Sequence, residues 1–545
     1  KVGHLEEASS SVSRPFAAPG LAATFLFIIL VFAIATTASG PLSLYVIAAA
    51  VISGYMALYV GANDVANNVG PAVGGRAMTL ATALALAAIF EAAGALIAGG
   101  DVVATISKDI IRPQPDMTAL DFILLMMAGF LASAMWIHLA TYLGAPVSTT
   151  HSVVGGVIGA GIASSGINVV HWPTMGAIAA SWVISPVMGG LYWVVRWLII
   201  DRPEPFAAAR RWLPAIVAVM AGVFALYLTT KGLSHVWRPS LAVRLAISLA
   251  ILVVVAAAAL PWIRSQSAAV EADGRPVTVL FSLPLIAAAA LLCFAHGAND
   301  VANAIGPLAA IVAAAHTGLA APQEVALPLW VLVIGAVGIS LGLALFGPTV
   351  IKTVGEKITK MNPSRAYCVA LAAATTVLIA SALGLPISST HVTVGGVFGI
   401  GLLREAITNR GIPNPAVQPR MRSLRISELN ETPEQAVSRS RSRERRKLVR
   451  RQYGASIGAA WVIVPFVGIL RLHGWARAST VTIQILMVAV AVGSFQGLVA
   501  RPDVGWALLI PAVVAFVLAL APSVVRATAR EVAPDDEDDD GRNTK

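Results

Sequence analysis

Long, uninterrupted apolar segments recur along almost the whole chain, and they decide what it can fold into. Each can cross a hydrocarbon core, which takes about 20 helical residues. Lipid offers the backbone no hydrogen-bond partners, so a spanning segment must be a helix or part of a closed barrel. The segments are continuous rather than alternating, which favours helices. We predict an all-α polytopic membrane protein with about 12 transmembrane helices. The spans lie near 21–39, 41–62, 77–98, 120–144, 172–196, 213–229, 241–262, 279–298, 327–347, 365–385, 454–472, 480–499 and 503–522.

Composition supports this class and excludes others. Hydrophobic residues make up 57% of the chain and charged residues only 12%, whereas a soluble domain carries about 25% charged residues. The net charge of +10 does not indicate nucleic acid binding, because the positive residues cluster in loops, as membrane topology requires. The two cysteines, Cys293 and Cys368, lie inside apolar segments, so we expect no disulfide. Residues 1–20 are polar and predict no cleavable signal.

Two sequence motifs occur twice, each time inside or beside an apolar segment. Gly-Ala-Asn-Asp begins at Gly61 and again at Gly297, and both copies end in Gly-Pro. A Pro-(Val/Ile)-Ser-(Thr/Ser)-Thr-His motif follows at Pro146 and at Pro386, and both copies continue into Val-Gly-Gly-Val. An Asp at membrane depth costs about 2.5–3.5 kcal/mol on insertion scales and marks a candidate functional site. Matched sites in two halves indicate a transporter with its substrate at the repeat interface.

Loop charges predict that the two halves have inverted topology. Residues 161–173, after the first Ser-Thr-Thr-His motif, contain no Arg, Lys, Asp or Glu, whereas residues 404–453, after the second, hold thirteen Arg and Lys residues. The positive-inside rule places the basic segment in the cytoplasm and the uncharged loop outside. Inverted repeats with broken helices and re-entrant hairpins are the architecture of many secondary transporters.

The same reasoning divides the chain into segments. We expect an N-terminal segment with an extra span at 1–40, a first transport repeat at 41–200, linking helices at 201–276, a second transport repeat at 277–475 that the basic cytoplasmic insert 404–453 interrupts, terminal helices at 476–522, and an acidic disordered tail at 523–545.

The Asn-Asp motifs predict a cation site. Each ends an apolar segment and is closed by Gly-Pro, so we expect an unwound helix break at membrane depth. Freed carbonyls, with the amide and carboxylate oxygens, would form a hard-oxygen cage that suits Na⁺, or a proton held on the carboxylate. The alternative is that Asn and Asp only join neighbouring helices by hydrogen bonds.

The Ser-Thr-Thr-His motifs predict helix starts that bind an anion. Pro sets the entry, Ser and Thr cap the helix, and the glycines beyond allow close packing. Free N–H groups and the positive end of the helix dipole bind an anion without a cationic side chain. The alternative is an ordinary capped helix whose hydroxyl groups are satisfied locally.

Other polar residues give weaker signals. A serine hydrolase is excluded because the motif is duplicated and no Gly-x-Ser-x-Gly sequence marks a nucleophile, so we expect no enzyme activity. His151 and His391 are candidate orienting or coupling residues. His138 and His296 are interpreted as packing histidines. Glu91 is either a coupling site or a buried neutral acid, and Ser340 takes its place in the second half.

The paired motifs closely resemble those of the inorganic phosphate transporter family, which includes bacterial phosphate permeases and eukaryotic sodium–phosphate symporters. The resemblance covers 41–200 and 277–475. It implies cation-coupled phosphate uptake by an inverted-repeat fold. The implied phosphate-binding residues are Ser148, Thr149, Thr150, Ser388, Ser389, Thr390, Asn63 and Asn299, and the implied cation-binding residues are Asp64, Asn67, Asp300 and Asn303, with Asp64 and Asp300 as Na⁺ ligands. Eukaryotic relatives carry a glutamate where this chain has Ala370, so a coupling scheme that needs that carboxylate does not transfer.

We therefore expect a secondary active transporter that imports inorganic phosphate by symport with a cation, Na⁺ ahead of H⁺, through an alternating-access site at the repeat interface. A sulfate permease of the same fold is the alternative, followed by a channel or non-transporting scaffold. The expected partners are inorganic phosphate and membrane lipid, with no nucleic acid and no cofactor besides the co-transported ion. Whether the protein forms a homodimer is left open. The expected location is the inner membrane of a bacterium.

Overall fold

The structure is a computed structural model that describes residues 2–37, 40–142, 147–176, 178, 194–232, 237–320, 327–357 and 362–397. The helices are α1 (Val2–Thr36), α2 (Ser43–Gly74), α3 (Leu80–Ala98), α4 (Gly100–Lys108), α5 (Ala119–Tyr142), α6 (Thr149–Ser165), α7 (Pro205–Tyr227), α8 (Leu241–Ala272), α9 (Ser282–Thr317), α10 (Leu329–Lys357) and α11 (Pro363–Ala382). Residues 389–397 are also helical. Short 3₁₀ turns cover Ile167–Val169 and Val277–Phe281, and π-helical turns cover Arg196–Ile200 and Leu228–Gly232.

Helix ends follow local sequence signals. Thr79, Ser240 and Asn362 lie just before α3, α8 and α11, and each side chain accepts a hydrogen bond from a backbone N–H of the first turn. Among the described residues, nine helices are long and apolar enough to cross a membrane. The all-α polytopic membrane fold is therefore confirmed. The spans predicted beyond residue 397, the basic insert and the acidic tail lie outside the described residues.

The predicted helix breaks at the Asn-Asp motifs are wrong. α2 and α9 continue as single α-helices through the motifs, with Pro71 and Pro307 inside them. Each proline removes one helical hydrogen bond, whereas unwinding a segment at membrane depth would leave several backbone groups without partners. The polar side chains find partners on neighbouring elements while the backbone stays helical. The chain instead leaves helical geometry just before the two Ser-Thr-Thr-His motifs, where Val147 and residues 385–388 are non-helical.

Glycines let two matched helix pairs approach very closely. A Cβ atom on Gly61 of α2 would lie 2.0 Å from the carbonyl oxygen of Ile339 in α10. A Cβ atom on Gly297 of α9 would lie 2.0 Å from the carbonyl oxygen of Glu91 in α3. Since Gly61 and Gly297 begin the two Asn-Asp motifs, the residue that matches Glu91 is Ile339. The predicted match with Ser340 is off by one residue, and the second half offers no carboxylate at this position.

Each Ser-Thr-Thr-His motif belongs to a helical hairpin. In the first hairpin, α5 and α6 pack antiparallel, and Ser133 in α5 donates a hydrogen bond to the carbonyl of Ser152 in α6 (2.7 Å). In the second hairpin, α11 is followed by the helical residues 389–397. Both hairpins point their junctions at the middle of α2 and α9, where the Asn-Asp motifs lie.

The central helices α2 and α9 run in opposite directions. Gly75, just after α2, lies beside Ala366 at the start of α11 and Leu285 at the start of α9. At the other end of α9, Leu319 forms an isolated β-bridge with Thr118, just before α5. Inverted-topology repeats require this antiparallel relation. Which end faces the cytoplasm stays a prediction.

Candidate functional site: two hairpin starts between the Asn-Asp helices

The two Ser-Thr-Thr-His motifs form buried helix starts. Ser148 caps α6 by accepting a hydrogen bond from the N–H of His151 (3.1 Å). Ser388 makes the same contact with the N–H of His391 (3.1 Å). Both serines and the two residues that follow each of them are buried. The predicted capping is therefore confirmed, and both helix starts lie inside the protein.

The two helix starts bond directly to each other. The hydroxyl of Thr150 donates to the carbonyl of Ile387 (3.0 Å), and the hydroxyl of Thr390 donates to the carbonyl of Val147 (2.9 Å). Each hydroxyl thus reaches the non-helical residue just before the N-cap serine of the opposite helix. This reciprocal pair places donors from both halves at one point.

The second Asn of each motif links its helix to the opposite hairpin. The amide of Asn67 donates to the hydroxyl of Thr390 (2.8 Å), and the amide of Asn303 donates to the hydroxyl of Thr150 (2.9 Å). Both pairs are fully or almost fully buried. These asparagines were predicted to bind the cation. That role stays a prediction, and the structure shows each of them bonded to a hydroxyl group of the opposite half.

The first Asn of each motif holds the hairpin of its own half. Asn63 accepts from the N–H of Val147 (2.9 Å) and donates to the hydroxyl of Thr141 in α5 (3.2 Å). Asn299 accepts from the N–H of Ile387 (3.1 Å) and donates to the hydroxyl of Ser381 in α11 (3.0 Å). Each side-chain amide therefore clamps both arms of a hairpin. A phosphate contact of either asparagine stays a prediction.

A buried acidic cluster lies beside the hydroxyl groups, and His296 is at its centre. Its Nε2 atom is 2.8 Å from Asp300 Oδ2 and 3.5 Å from Asp64 Oδ2, while its Nδ1 atom is 3.2 Å from Glu91 Oε2. All four side chains are essentially inaccessible to solvent. The interpretation of His296 as a packing residue is therefore wrong, because it joins carboxylates from three helices.

The composition of this cluster limits how its charge can be balanced. Three carboxyl groups and one imidazole lie together in a site inaccessible to solvent. An imidazolium would offset one carboxylate only, and any further ionised carboxyl group would be a buried charge that is strongly unfavourable unless a cation or a proton compensates it.

Glu91 has a second partner, which also comes from the first Asn-Asp helix. The amide of Asn68 donates to Glu91 Oε1 (2.8 Å). Glu91 is therefore bonded to α2 on one side and faces His296 of α9 on the other. Its predicted role as a coupling site stays open, and its contacts place it within the cluster.

The other three histidines that the sequence analysis singled out, His138, His151 and His391, lie at two positions around the site. The rings of His151 and His391 meet edge to face at a centroid distance of 4.4 Å, between the two helix starts. The Nδ1 atom of His138 shares a hydrogen bond with the hydroxyl of Tyr55 (2.6 Å), and the ring of His138 stacks on that of Tyr59 at a centroid distance of 4.1 Å. His138 therefore packs as predicted, outside the acidic cluster.

The structure brings nearly all the predicted site residues together. Reasoning from sequence missed His296, Asn68, Thr141 and Ser381. A usable signal existed for His296, since it precedes Asp300 by one helical turn and therefore shares its face of α9. Thr141 and Ser381 lie in apolar helices with no motif around them, so sequence alone gave no signal.

The fold and the site together define a membrane transporter. Hydroxyl donors and two helix starts can receive an anion, carboxylates beside them can receive cations, and all lie at the interface of two matched halves. The sequence profile of the phosphate transporter family matches residues 60–471. The chain belongs to this family.

Individual relatives agree with the family assignment. A putative phosphate permease of Helicobacter pylori strain J99 is 44% identical over 414 residues, which cover 74% of this chain and 78% of the relative. The chloroplastic inorganic phosphate transporter 2-1 of Arabidopsis thaliana is 36% identical, covering 64% of each chain. A solved structure described as the sodium-dependent phosphate transporter has a TM-score of 0.61 and 35% sequence identity, covering 69% of this chain and 92% of the other.

Proposed function

We propose that this protein imports inorganic phosphate by symport with a cation, Na⁺ ahead of H⁺, through an alternating-access site between its two halves. One observation carries the proposal: a buried cluster of three carboxyl groups around His296 lies beside two helix starts lined with hydroxyl donors. In an integral membrane protein of the phosphate transporter family, the hydroxyl donors would bind the anion and the carboxyl groups would bind the cation.

The anion would be bound by neutral donors. Ser148, Thr149 and Thr150 of the first half face Ser388, Ser389 and Thr390 of the second half, and both helix starts direct their dipoles toward the junction. Phosphate oxygens would replace the backbone carbonyls that now accept from Thr150 and Thr390. The exchange keeps each hydroxyl hydrogen-bonded, so the donors lose little when the substrate enters.

The cation is needed because the anion and the acidic cluster repel each other. At 4 Å, two like charges repel by about 4 kcal/mol at an effective dielectric constant of 20. Bound monovalent cations at Asp64 and Asp300 would cancel the charge of the cluster before or together with phosphate entry. Coupling then follows from electrostatics, since neither ion binds well without the other.

We favour Na⁺ over H⁺ as the coupling ion because the solved relative is described as sodium-dependent and because oxygen ligands suit a hard cation. Proton coupling keeps a physical basis in the Glu91–His296–Asp300 chain, which can hold a proton at several places.

A sulfate permease remains the alternative for the anion. At neutral pH phosphate retains a proton that it can donate to a carboxylate or amide oxygen, whereas sulfate has none to donate.

The proposal is tested by uptake of radiolabelled phosphate into proteoliposomes under separate sodium and pH gradients. Phosphate uptake should depend on the inward sodium gradient. Excess unlabelled sulfate should inhibit this uptake only weakly. Asp64→Asn and Asp300→Asn should each lower uptake by about tenfold or more, since each removes a charge that stabilises a cation. If sulfate inhibits uptake as strongly as unlabelled phosphate does, the sulfate permease becomes the better assignment. Uptake that depends on neither the sodium gradient nor the pH gradient would exclude symport.

The proposed location is the plasma membrane of a bacterium. Two proteins of Helicobacter pylori, each described as a putative phosphate permease, are 44% identical to the chain. Fractionation of cells that express a tagged chain, with an inner-membrane marker as the control, would test the location.

A further inference from the structure

Lys231 forms an ion pair between the linking helices and the first repeat. It lies in the π-helical turn that follows α7, and no other Arg, Lys, Asp or Glu occurs between Arg211 and Arg238. Its Nζ atom is 2.7 Å from Oδ2 of Asp101, at the start of the short helix α4. A charged side chain in an apolar segment is costly unless it has a partner. The pair therefore holds α4 against the end of α7.

The same short helix supports the turn of the second hairpin. The hydroxyl of Thr105 in α4 donates a hydrogen bond to the carbonyl of Gly384 (2.6 Å), just after α11. Gly384 has a φ of +69°, and a Cβ atom there would lie 3.5 Å from the carbonyl oxygen of Asp101. The turn thus rests on the first residues of α4, and it leads directly into the non-helical residues 385–388.

Tyr227 adds a contact between α7 and the arm of the same hairpin. It lies one helical turn before Lys231, beside both Asp101 and Ser381. Ser381 in turn accepts a hydrogen bond from the amide of Asn299 (3.0 Å), which clamps the second hairpin. The end of α7 therefore reaches this hairpin twice, at its arm through Tyr227 and at its turn through α4.

The matching position in the second half carries no charge. Gly94 of α3 and Gly342 of α10 both meet the backbone of a central helix, which fixes how the two helices correspond. The same register places Thr349 where the first half has Asp101. Because threonine cannot form an ion pair, the contact between Lys231 and Asp101 has no copy at this position.

We propose that Lys231 is a positioning residue for transport, which anchors the second hairpin to the linking helices through Asp101 and α4. In this arrangement the end of α7, α4 and the turn at Gly384 stay together while the site changes the side to which it opens. Movement of the first hairpin then opens and closes the site. The inference rests on the proposed function, because it concerns the cycle that carries phosphate across the membrane.

Substitution of the ion pair provides the first test. The two side chains are 33% and 43% exposed, so solvent screens the pair and its loss should not unfold the protein. Lys231→Ala and Asp101→Asn should each lower the maximal rate of phosphate uptake by about threefold to fivefold. The half-saturating phosphate concentration should stay unchanged, since both residues lie outside the hydroxyl groups of the hairpin starts.

Double variants show whether the two residues act as a pair. Lys231→Ala combined with Asp101→Asn should be no slower than the slower single variant, because both substitutions break the same contact. Exchange of the charges, Lys231→Asp with Asp101→Lys, should restore most of the rate. Lys231→Arg keeps the positive charge and is the conservative control, which should transport at close to the wild-type rate.

A covalent cross-link distinguishes an anchor from a contact that must break during transport. Lys231→Cys with Asp101→Cys removes the ion pair, and a short bifunctional thiol reagent then joins the two positions. The native Cys293 and Cys368 are buried, so the reagent should react at the introduced cysteines. If α4 and the end of α7 stay together throughout the cycle, cross-linking should restore uptake that the double substitution had slowed.

Loss of uptake on cross-linking would overturn the inference, because α4 would then have to part from α7. A wild-type rate in Lys231→Ala, rate losses that multiply in the double variant, or a raised half-saturating concentration at an unchanged maximal rate would also overturn it. Gel filtration and the melting temperature of each variant exclude misfolding as the cause of a loss. Wild-type uptake with any of these outcomes contradicts the anchor alone, whereas absence of gradient-driven uptake by the wild-type protein contradicts the proposed function.

Discussion

At the scale of single residues, the two asparagines of each Asn-Asp motif have different structural roles that the sequence does not distinguish. The first asparagine of each motif holds its own hairpin, and the second reaches the other one. Both kinds sit in the same short motif and have the same chemistry. Only the contacts distinguish a residue that bonds within its own half from one that bonds to the opposite half.

The clamp at Asn63 predicts a specific coupling with Thr141. Asn63→Ala leaves the N–H of Val147 and the hydroxyl of Thr141 without their partner, so the hairpin tip loses its fixed position. Thr141→Val breaks the same clamp from the other side at a cost of about 1–3 kcal/mol. We expect each variant to lower the maximal rate of phosphate uptake several-fold, and the double variant to be little worse than Asn63→Ala alone.

The control for this cycle is Asn63→Ala combined with Ser381→Ala, which belongs to the clamp of the other half. There the two losses should multiply, because the residues share no contact. A direct phosphate ligand would behave differently: Asn63→Ala would mainly raise KM, and its effect would multiply with that of Thr141→Val. Initial rates over a range of phosphate concentrations distinguish the two cases.

The motif residues could be predicted from sequence because duplication marks them, and their types suit an anion and a cation. Duplication does not mark His296, since it has no copy: the first half places Val60 before Gly61 where the second half places His296 before Gly297. Its partner Glu91 is equally unmatched, since Ile339 occupies the corresponding place. Reasoning from repeats finds what the halves share and passes over the residues that make them differ.

At the scale of helices, the sequence predicted packing better than continuity. The glycines after each Ser-Thr-Thr-His motif were predicted to allow close approach, which is confirmed for Gly156 against Gly129 of α5. The predicted breaks in α2 and α9 failed for a physical reason. Polar residues inside an apolar run suggest unwinding when partners are unknown, and here the partners come from elements distant in sequence, such as Thr390 for Asn67.

Two adjacent glycines of α6 test the packing of the first hairpin. A Cβ atom on Gly156 would lie 2.2 Å from the hydroxyl oxygen of Ser133 and 2.5 Å from the carbonyl oxygen of Gly129, whereas one on Gly155 would meet nothing within 4 Å. Gly156→Ala should therefore destabilise the protein by about 1–3 kcal/mol, the usual effect of overpacking. Gly155→Ala should be neutral or stabilise it by up to about 1 kcal/mol through helix propensity.

Thermal unfolding of the two purified variants in detergent provides the measurement. A lower Tm for Gly156→Ala alone supports the contact between α5 and α6. Equal melting temperatures for the two variants would contradict it, because both substitutions add the same methyl group to the same helix and differ only in direction. Phosphate uptake by Gly155→Ala at the wild-type level would confirm that the methyl group itself is harmless.

At the scale of the whole molecule, the arrangement of the two halves relates the site to transport. Helix α9 begins beside the end of α2 and runs to the end of the molecule where α5 begins. The matched helices are thus antiparallel, and each hairpin enters from the end at which the central helix of its own half begins. A site built this way presents similar groups to both ends, which alternating access requires.

This arrangement predicts that the segments after the two hairpins lie on opposite sides of the membrane. Ser165 ends α6 in a stretch without Arg, Lys, Asp or Glu, and Ser440 lies in the basic insert. The positive-inside rule places Ser440 in the cytoplasm. Single cysteines at these positions should react differently with a membrane-impermeant maleimide: Ser165→Cys in intact cells, and Ser440→Cys only after permeabilisation. The native Cys293 and Cys368 are buried, so background labelling should be low. Labelling of both cysteines from one side would exclude inverted repeats, because two parallel halves would send both hairpin ends to the same face.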